Sequence, residues 1–70
     1  MVRIDLLRGV IAQRGLSQKD VADELGIVPK TFYSKMKKGV FDSDEINEMI
    51  RLLKIDGATA AQIFFDIDVT

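Results

Sequence analysis

Apolar side chains recur along this chain at spacings of three and four, and each such run stops at a glycine or at a residue suited to capping a helix. Ile4, Leu7 and Ile11 draw one stripe, with Val2, Leu6 and Val10 in a second line beside it. The pattern predicts a first helix from about Arg3 to Arg14 with a wide apolar face, closed by Gly15 in a left-handed conformation. A second helix starts at Ser17. Its hydroxyl can cap, Asp20 follows three residues on, and Leu16 and Val21 can close a hydrophobic staple. Val21, Ala22 and Leu25 are its core residues, and Gly26 ends it.

The stretch GIVPKTFYSKMKKG predicts a third helix from Pro29 to Lys38, ended by Gly39. Val28, Phe32 and Met36 are spaced by four. At about 100° per residue they drift only about 80° around the axis, so they are expected to share an inward face. Lys30, Ser34 and Lys37 lie opposite, with Tyr33 on one flank and Lys38 on the other. A fourth helix is expected from Ser43 to about Lys54. Asp42 and Glu45 form a capping box, Phe41 and Ile46 a staple, and Ile46, Met49, Ile50 and Leu53 a core stripe. Gly57 is expected to separate it from a short fifth helix, where Thr59 and Gln62 suggest another capping box ahead of Ile63, Phe64 and Phe65. The tail DIDVT alternates and is expected to be extended or frayed. Five short helices joined by short turns predict a compact all-α domain over residues 1–70.

Composition narrows the chemistry. A chain of 70 residues accommodates one domain, and apolar and charged contents of 47% and 30% fit a folded globule. The sequence holds no cysteine and no histidine. The usual nucleophilic thiol, general base and zinc ligand sets are therefore missing, and an enzyme, a bound metal and a cofactor are not expected. Acidic residues fall at caps and on exposed faces, where dipole and solubility roles suffice. No apolar run approaches the roughly 20 residues of a membrane span. The N-terminal stretch carries charge within its apolar part, unlike a signal peptide, so a cytoplasmic location is expected.

The net charge of −1 conceals a division. Met1 to Phe41 carries eight bases against four acids, whereas Asp42 to Thr70 carries two bases against seven acids. Lys30, Lys35, Lys37 and Lys38 fall in the third helix with no acid among them. The chain thus has a basic end and an acidic end, and such asymmetry points to a partner for each.

The segment SQKDVADELGIVPKTFYSKM, at about residues 17–38, has the layout of a helix-turn-helix. Ala22 follows Gln18 by four, where two helices cross closely. Gly26 follows by four more, where the turn favours a positive φ, and Phe32 anchors the second helix. With LRGVIAQRGLSQKDVADELGI, KTFYSKMKKG, SDEINEMIRLLKI and AAQIFF, the chain resembles the lambda-repressor-like DNA-binding domains, the Cro and repressor class also called XRE. The likeness covers nearly the whole chain and looks closest to short phage-encoded regulators.

That resemblance implies a five-helix domain that often dimerises and inserts its third helix into the major groove of an operator. It implies a role for Gln18 in touching a phosphate and bracing the recognition helix. Val28, Pro29 and Lys30 match the leading edge of that helix, Tyr33, Ser34 and Lys37 its groove-facing side, and Thr31 counts among the DNA-binding residues; Tyr33 is alternatively a partly buried core ring. Lys19 and Lys38 are candidate phosphate contacts. Lys30 has the reach to contact guanine O6 and N7, and Val28 or Pro29 can touch a thymine methyl. Relatives usually open this helix with Ser, Thr or Gln, and this chain has Val-Pro instead.

Leu6, Leu52 and one of Phe64 and Phe65 fall at the edges of their apolar stripes, where they either pack at the edge of the core or form a dimer or partner interface. The acidic second half and the wide apolar faces motivate an alternative function, a protein-binding modulator or antirepressor that keeps a repressor-like fold and acts on another phage repressor protein.

Overall fold

The computed structural model describes residues 1–67, and the end of the alternating tail, residues 68–70, lies outside the described residues. Five helices follow in order: α1 (Ile4–Gln13), α2 (Gln18–Leu25), α3 (Pro29–Lys38), α4 (Ser43–Leu52) and α5 (Gly57–Phe64). No strand occurs among the described residues. The domain is all-α, as its apolar periodicity predicts.

The core is a single cluster. Leu7 and Ile11 come from α1, Val21 and Ala22 from α2, Phe32 and Met36 from α3, Met49 from α4, and Ala60, Ile63 and Phe64 from α5. Val2 joins it from the N-terminal segment, and Phe41, Leu53 and Ile55 from the connecting segments. α2 packs on both α3 and α4, and α1 packs on α2 and α5. The Phe32 and Phe41 rings meet with centroids 5.6 Å apart at 51°, which ties the middle of α3 to the turn that follows it. No side-chain polar atom is buried without a partner among the described residues.

The helix ends explain where each element starts and stops. Ser17 accepts from the Asp20 N–H while the Asp20 carboxylate accepts from the Ser17 N–H, and Asp42 with Glu45 repeats the arrangement on α4. Gly26 closes α2 at φ +72°, with its N–H donating to the Asp23 carbonyl and the Ile27 N–H donating to the Ala22 carbonyl.

The structure corrects the sequence reading at two ends. α5 is capped by Asp56, which accepts from the Thr59 N–H, and Gly57 is its first residue; no Thr59–Gln62 box starts it. The Asp56 carboxylate is a good N-cap, and Gly57 tolerates the first helical position that follows it. α4 stops at Leu52, before the expected Lys54, because Lys54 itself adopts a left-handed φ of +52°. The turn repeats the closing pattern of α2 without a glycine: the Lys54 N–H donates to the Arg51 carbonyl and the Ile55 N–H to the Ile50 carbonyl. Arg14 holds it from outside, its Nε donating to the Leu53 carbonyl at 2.7 Å.

Candidate nucleic-acid interface

α3 is amphipathic in the literal sense that Phe32 and Met36 are sunk in the core while Lys30, Thr31, Tyr33, Ser34, Lys37 and Lys38 are exposed. The helical period leaves no other arrangement once Phe32 is anchored. Pro29 at the first helical position is half-buried and pre-sets the helical φ. Gly39 at φ +71° ends the helix, and Lys35, Lys37 and Lys38 in the last turn complement the negative end of its dipole.

Val28 does not lie where the four-residue spacing puts it. It is 64% exposed, so the inward stripe of α3 consists of Phe32 and Met36 alone. Val28 is the N-cap, with extended backbone at φ −64° and ψ 133°, and helical phasing does not apply to a residue outside the helix. Its side chain makes no cap hydrogen bond. A polar residue there typically contributes about 1 kcal/mol that valine forgoes.

The four lysines of α3 are not equivalent. Lys35 reaches α4, with Nζ 3.0 Å from Glu45 Oε1 and 2.9 Å from Oε2. Hydrogen bonding to that carboxylate raises the pKa of Lys35. Lys30, Lys37 and Lys38 are in no ion pair among the described residues. A shallow groove beside them is lined by Lys30, Thr31, Ser34, Lys35, Lys38 and Val40. Val40 was not foreseen as part of this surface. It is 63% exposed just past the left-handed Gly39, where no helical period predicts direction.

The start of α2 adds two candidates. Gln18 is its first residue and is half-buried; Lys19 is exposed, with Nζ 3.0 Å from the Asp23 carboxylate one turn on. That hydrogen bond raises the pKa of Lys19. An exposed pair of this kind is weak and exchanges readily, so it leaves Lys19 able to meet another anion.

The candidate interface residues do not form one surface. Phe64 is buried in the core, so of the two phenylalanines it is Phe65, 61% exposed, that faces outward. Leu6 is 36% exposed and borders a groove with Arg3, Gln62, Asp66 and Ile67. Leu52 is half-buried and lies in a different groove, with Glu24, Leu25, Glu48 and Arg51. No helix among the described residues is long and apolar enough to cross a membrane. No family model, curated protein or solved structure matches the chain.

Proposed function

We propose that this chain is a sequence-specific DNA-binding transcriptional regulator, a Cro-like repressor of the lambda-repressor-like helix-turn-helix class encoded by a phage or prophage. In this reading it acts in the bacterial cytoplasm without catalysis, metal or cofactor. A homodimer binds a double-stranded operator, with α3 of each copy in the major groove and half-sites roughly 34 Å apart.

The observation that carries the reading is the outer face of α3. It presents Lys30, Lys37 and Lys38 unpaired among the described residues, interleaved with Thr31, Tyr33 and Ser34, while Phe32 and Met36 fix the helix to the core. Long cations beside short hydrogen-bonding side chains on a rigid, exposed helix suit phosphates flanking base edges. The acidity of the whole chain does not oppose this, because it is concentrated after Phe41.

A mobility shift with the full chain on the DNA flanking its own gene, over a salt series, tests the reading. Affinity is expected to fall by about 0.9 log unit per log unit of salt for each phosphate neutralised. Absence of a shift at low salt, or a shift indifferent to salt, overturns it.

A second reading, a modulator that binds another regulator, draws on the exposed Leu6, Phe65 and Ile67. A stable complex with the neighbouring repressor in gel filtration, with no DNA shift by the chain alone, favours that reading.

A further inference from the structure

We propose that the chain modifies itself at the Asp56–Gly57 bond, where the backbone nitrogen of Gly57 closes on the side-chain carboxyl of Asp56 and leaves isoaspartate, and that the first turn of α5 governs the rate. This goes beyond the DNA-binding reading and does not depend on it.

The bond is the one place in the sequence where aspartate precedes glycine. Ring closure needs a nitrogen with little bulk around it, and glycine has no Cβ to shield its own. Gly57 is the first residue of α5, so its N–H has no partner inside the helix. Both residues are exposed to the water that the reaction consumes and returns. The fold does not demand glycine here. Gly57 is not among the glycines at positive φ, and a Cβ on it would meet nothing within 4 Å.

The chemistry balances with the chain's own atoms and water. The Gly57 nitrogen attacks Cγ of the protonated Asp56 carboxyl. The N–H proton and the carboxyl hydroxyl leave together as water, and a five-membered succinimide remains. Water then adds at either ring carbonyl. Addition at Cγ restores aspartate. Addition at the main-chain carbonyl carbon routes the backbone through Cβ and Cγ, which is isoaspartate.

The cap of α5 opposes the first step. Asp56 Oδ1 accepts from the Thr59 N–H at 2.7 Å, which holds the carboxyl over the first turn. Hydrogen bonding to Thr59 also lowers the pKa of Asp56, so near neutral pH the carboxyl is in its ionised, unreactive form. Reaction therefore passes through local openings of the kind that helix ends undergo. The product damages what guarded it. Isoaspartate adds a methylene to the main chain at the start of α5 and moves the carboxylate off the capping position. α5 supplies Ala60, Ile63 and Phe64 to the core, so the modified chain is less stable.

The test holds the chain in warm, mildly acidic buffer, folded or in urea, and samples it over weeks. Peptide mapping with electron-transfer fragmentation tells isoaspartate from aspartate at equal mass and follows each aspartate separately. In the folded chain isoaspartate is expected at Asp56 ahead of every other aspartate. It is expected to form about fivefold more slowly there than in urea, the factor that one helix cap is worth. The modified fraction, separated by ion exchange, is expected to melt below the fresh chain. Gly57→Ala keeps the Asp56 cap and has room for its Cβ, so it is expected to melt no lower than the parent. In that variant isoaspartate at Asp56 is expected to fall to the level of the other aspartates. No isoaspartate at Asp56 in the folded chain, or an undiminished amount in Gly57→Ala, overturns the inference. Equal rates in the folded chain and in urea overturn the part assigned to the first turn of α5.

Discussion

Lys35 and Glu45 join the third helix to the fourth through the one ion pair between two helices among the described residues, with Nζ 2.9 Å from Oε2. Glu45 serves two elements at once, because its Oε1 accepts from the Asp42 N–H in the capping box of α4 and from Lys35 Nζ. The pair is largely shielded, with 11% of the Glu45 side chain exposed. One of the four lysines that make α3 look basic in sequence is therefore a strut between helices.

This divides the lysines by experiment. Lys35→Gln is expected to lower the melting temperature and to leave the salt dependence of DNA binding unchanged. Lys37→Ala is expected to leave the melting temperature near that of the parent and to reduce the salt slope by about 0.9. Thermal melts and binding titrations at several salt concentrations separate the two. A reduced slope in Lys35→Gln would show that the strut releases its lysine to the phosphates.

Two left-handed positions make opposite predictions. Gly26 at φ +72° has open space where a Cβ would stand, so Gly26→Ala is opposed by the backbone and not by a neighbour. It is expected to destabilise by about 1 kcal/mol in denaturant titration. Lys54 occupies the same region at φ +52° with a side chain attached. Relief of about 1–2 kcal/mol of backbone strain, less about 0.4–1 for the added freedom of the unfolded chain, leaves Lys54→Gly more stable by roughly 0.8 kcal/mol at the middle of these ranges. A destabilised Lys54→Gly would mean that the Arg14 bond to the Leu53 carbonyl depends on the lysine at this turn.

The contrast between these two residues also marks what was legible beforehand. Gly26 announced its turn, because glycine is the default residue at positive φ and the apolar period broke beside it. Lys54 gave no sign, since the long-range hydrogen bond from Arg14 crosses 39 residues and leaves no local pattern. The core of α3 was readable from Phe32 and Met36, which lie inside a helix and obey its period. Val28 and Val40 lie outside it, and their exposure follows from cap and turn geometry that spacing does not encode. Likewise the four lysines were visible as residues, whereas the loss of Lys35 to Glu45 depends on how α4 folds back.

The caps predict an acid limit to stability. Hydrogen bonds from backbone N–H groups hold the pKa of Asp20 and of Asp56 below the usual 3.8, through Ser17 and Thr59 respectively. A carboxylate whose folded pKa is depressed contributes stability that is fully present above its unfolded pKa and is lost as pH falls through the folded one. Melting temperature is therefore expected to be flat in this respect above about pH 5 and to decline below about pH 4. Asp56→Asn keeps a capping oxygen but cannot titrate, so its decline should be shallower than that of the parent. Parallel declines in the two proteins would remove Asp56 from the acid response.

Lys30 and Lys38 sit eight residues apart on one face of α3 and are both exposed, yet their places differ. Lys30 is in the first turn, next to the exposed Val28, and Lys38 is the last helical residue. In a helix that enters a groove by its leading end, the first turn meets base edges and the last turn meets the backbone. Lys30→Ala is thus expected to cost about 1–3 kcal/mol on the preferred duplex and to relax the choice of base at one position. Lys38→Ala is expected to weaken all duplexes alike and to flatten the salt slope by about 0.9. Competition binding against single-base variants of a selected site reads the first effect, and a salt series on matched and scrambled duplexes reads the second. Equal weakening of all sequences by Lys30→Ala would place it on a phosphate and leave base choice to Val28, Thr31, Tyr33 and Ser34.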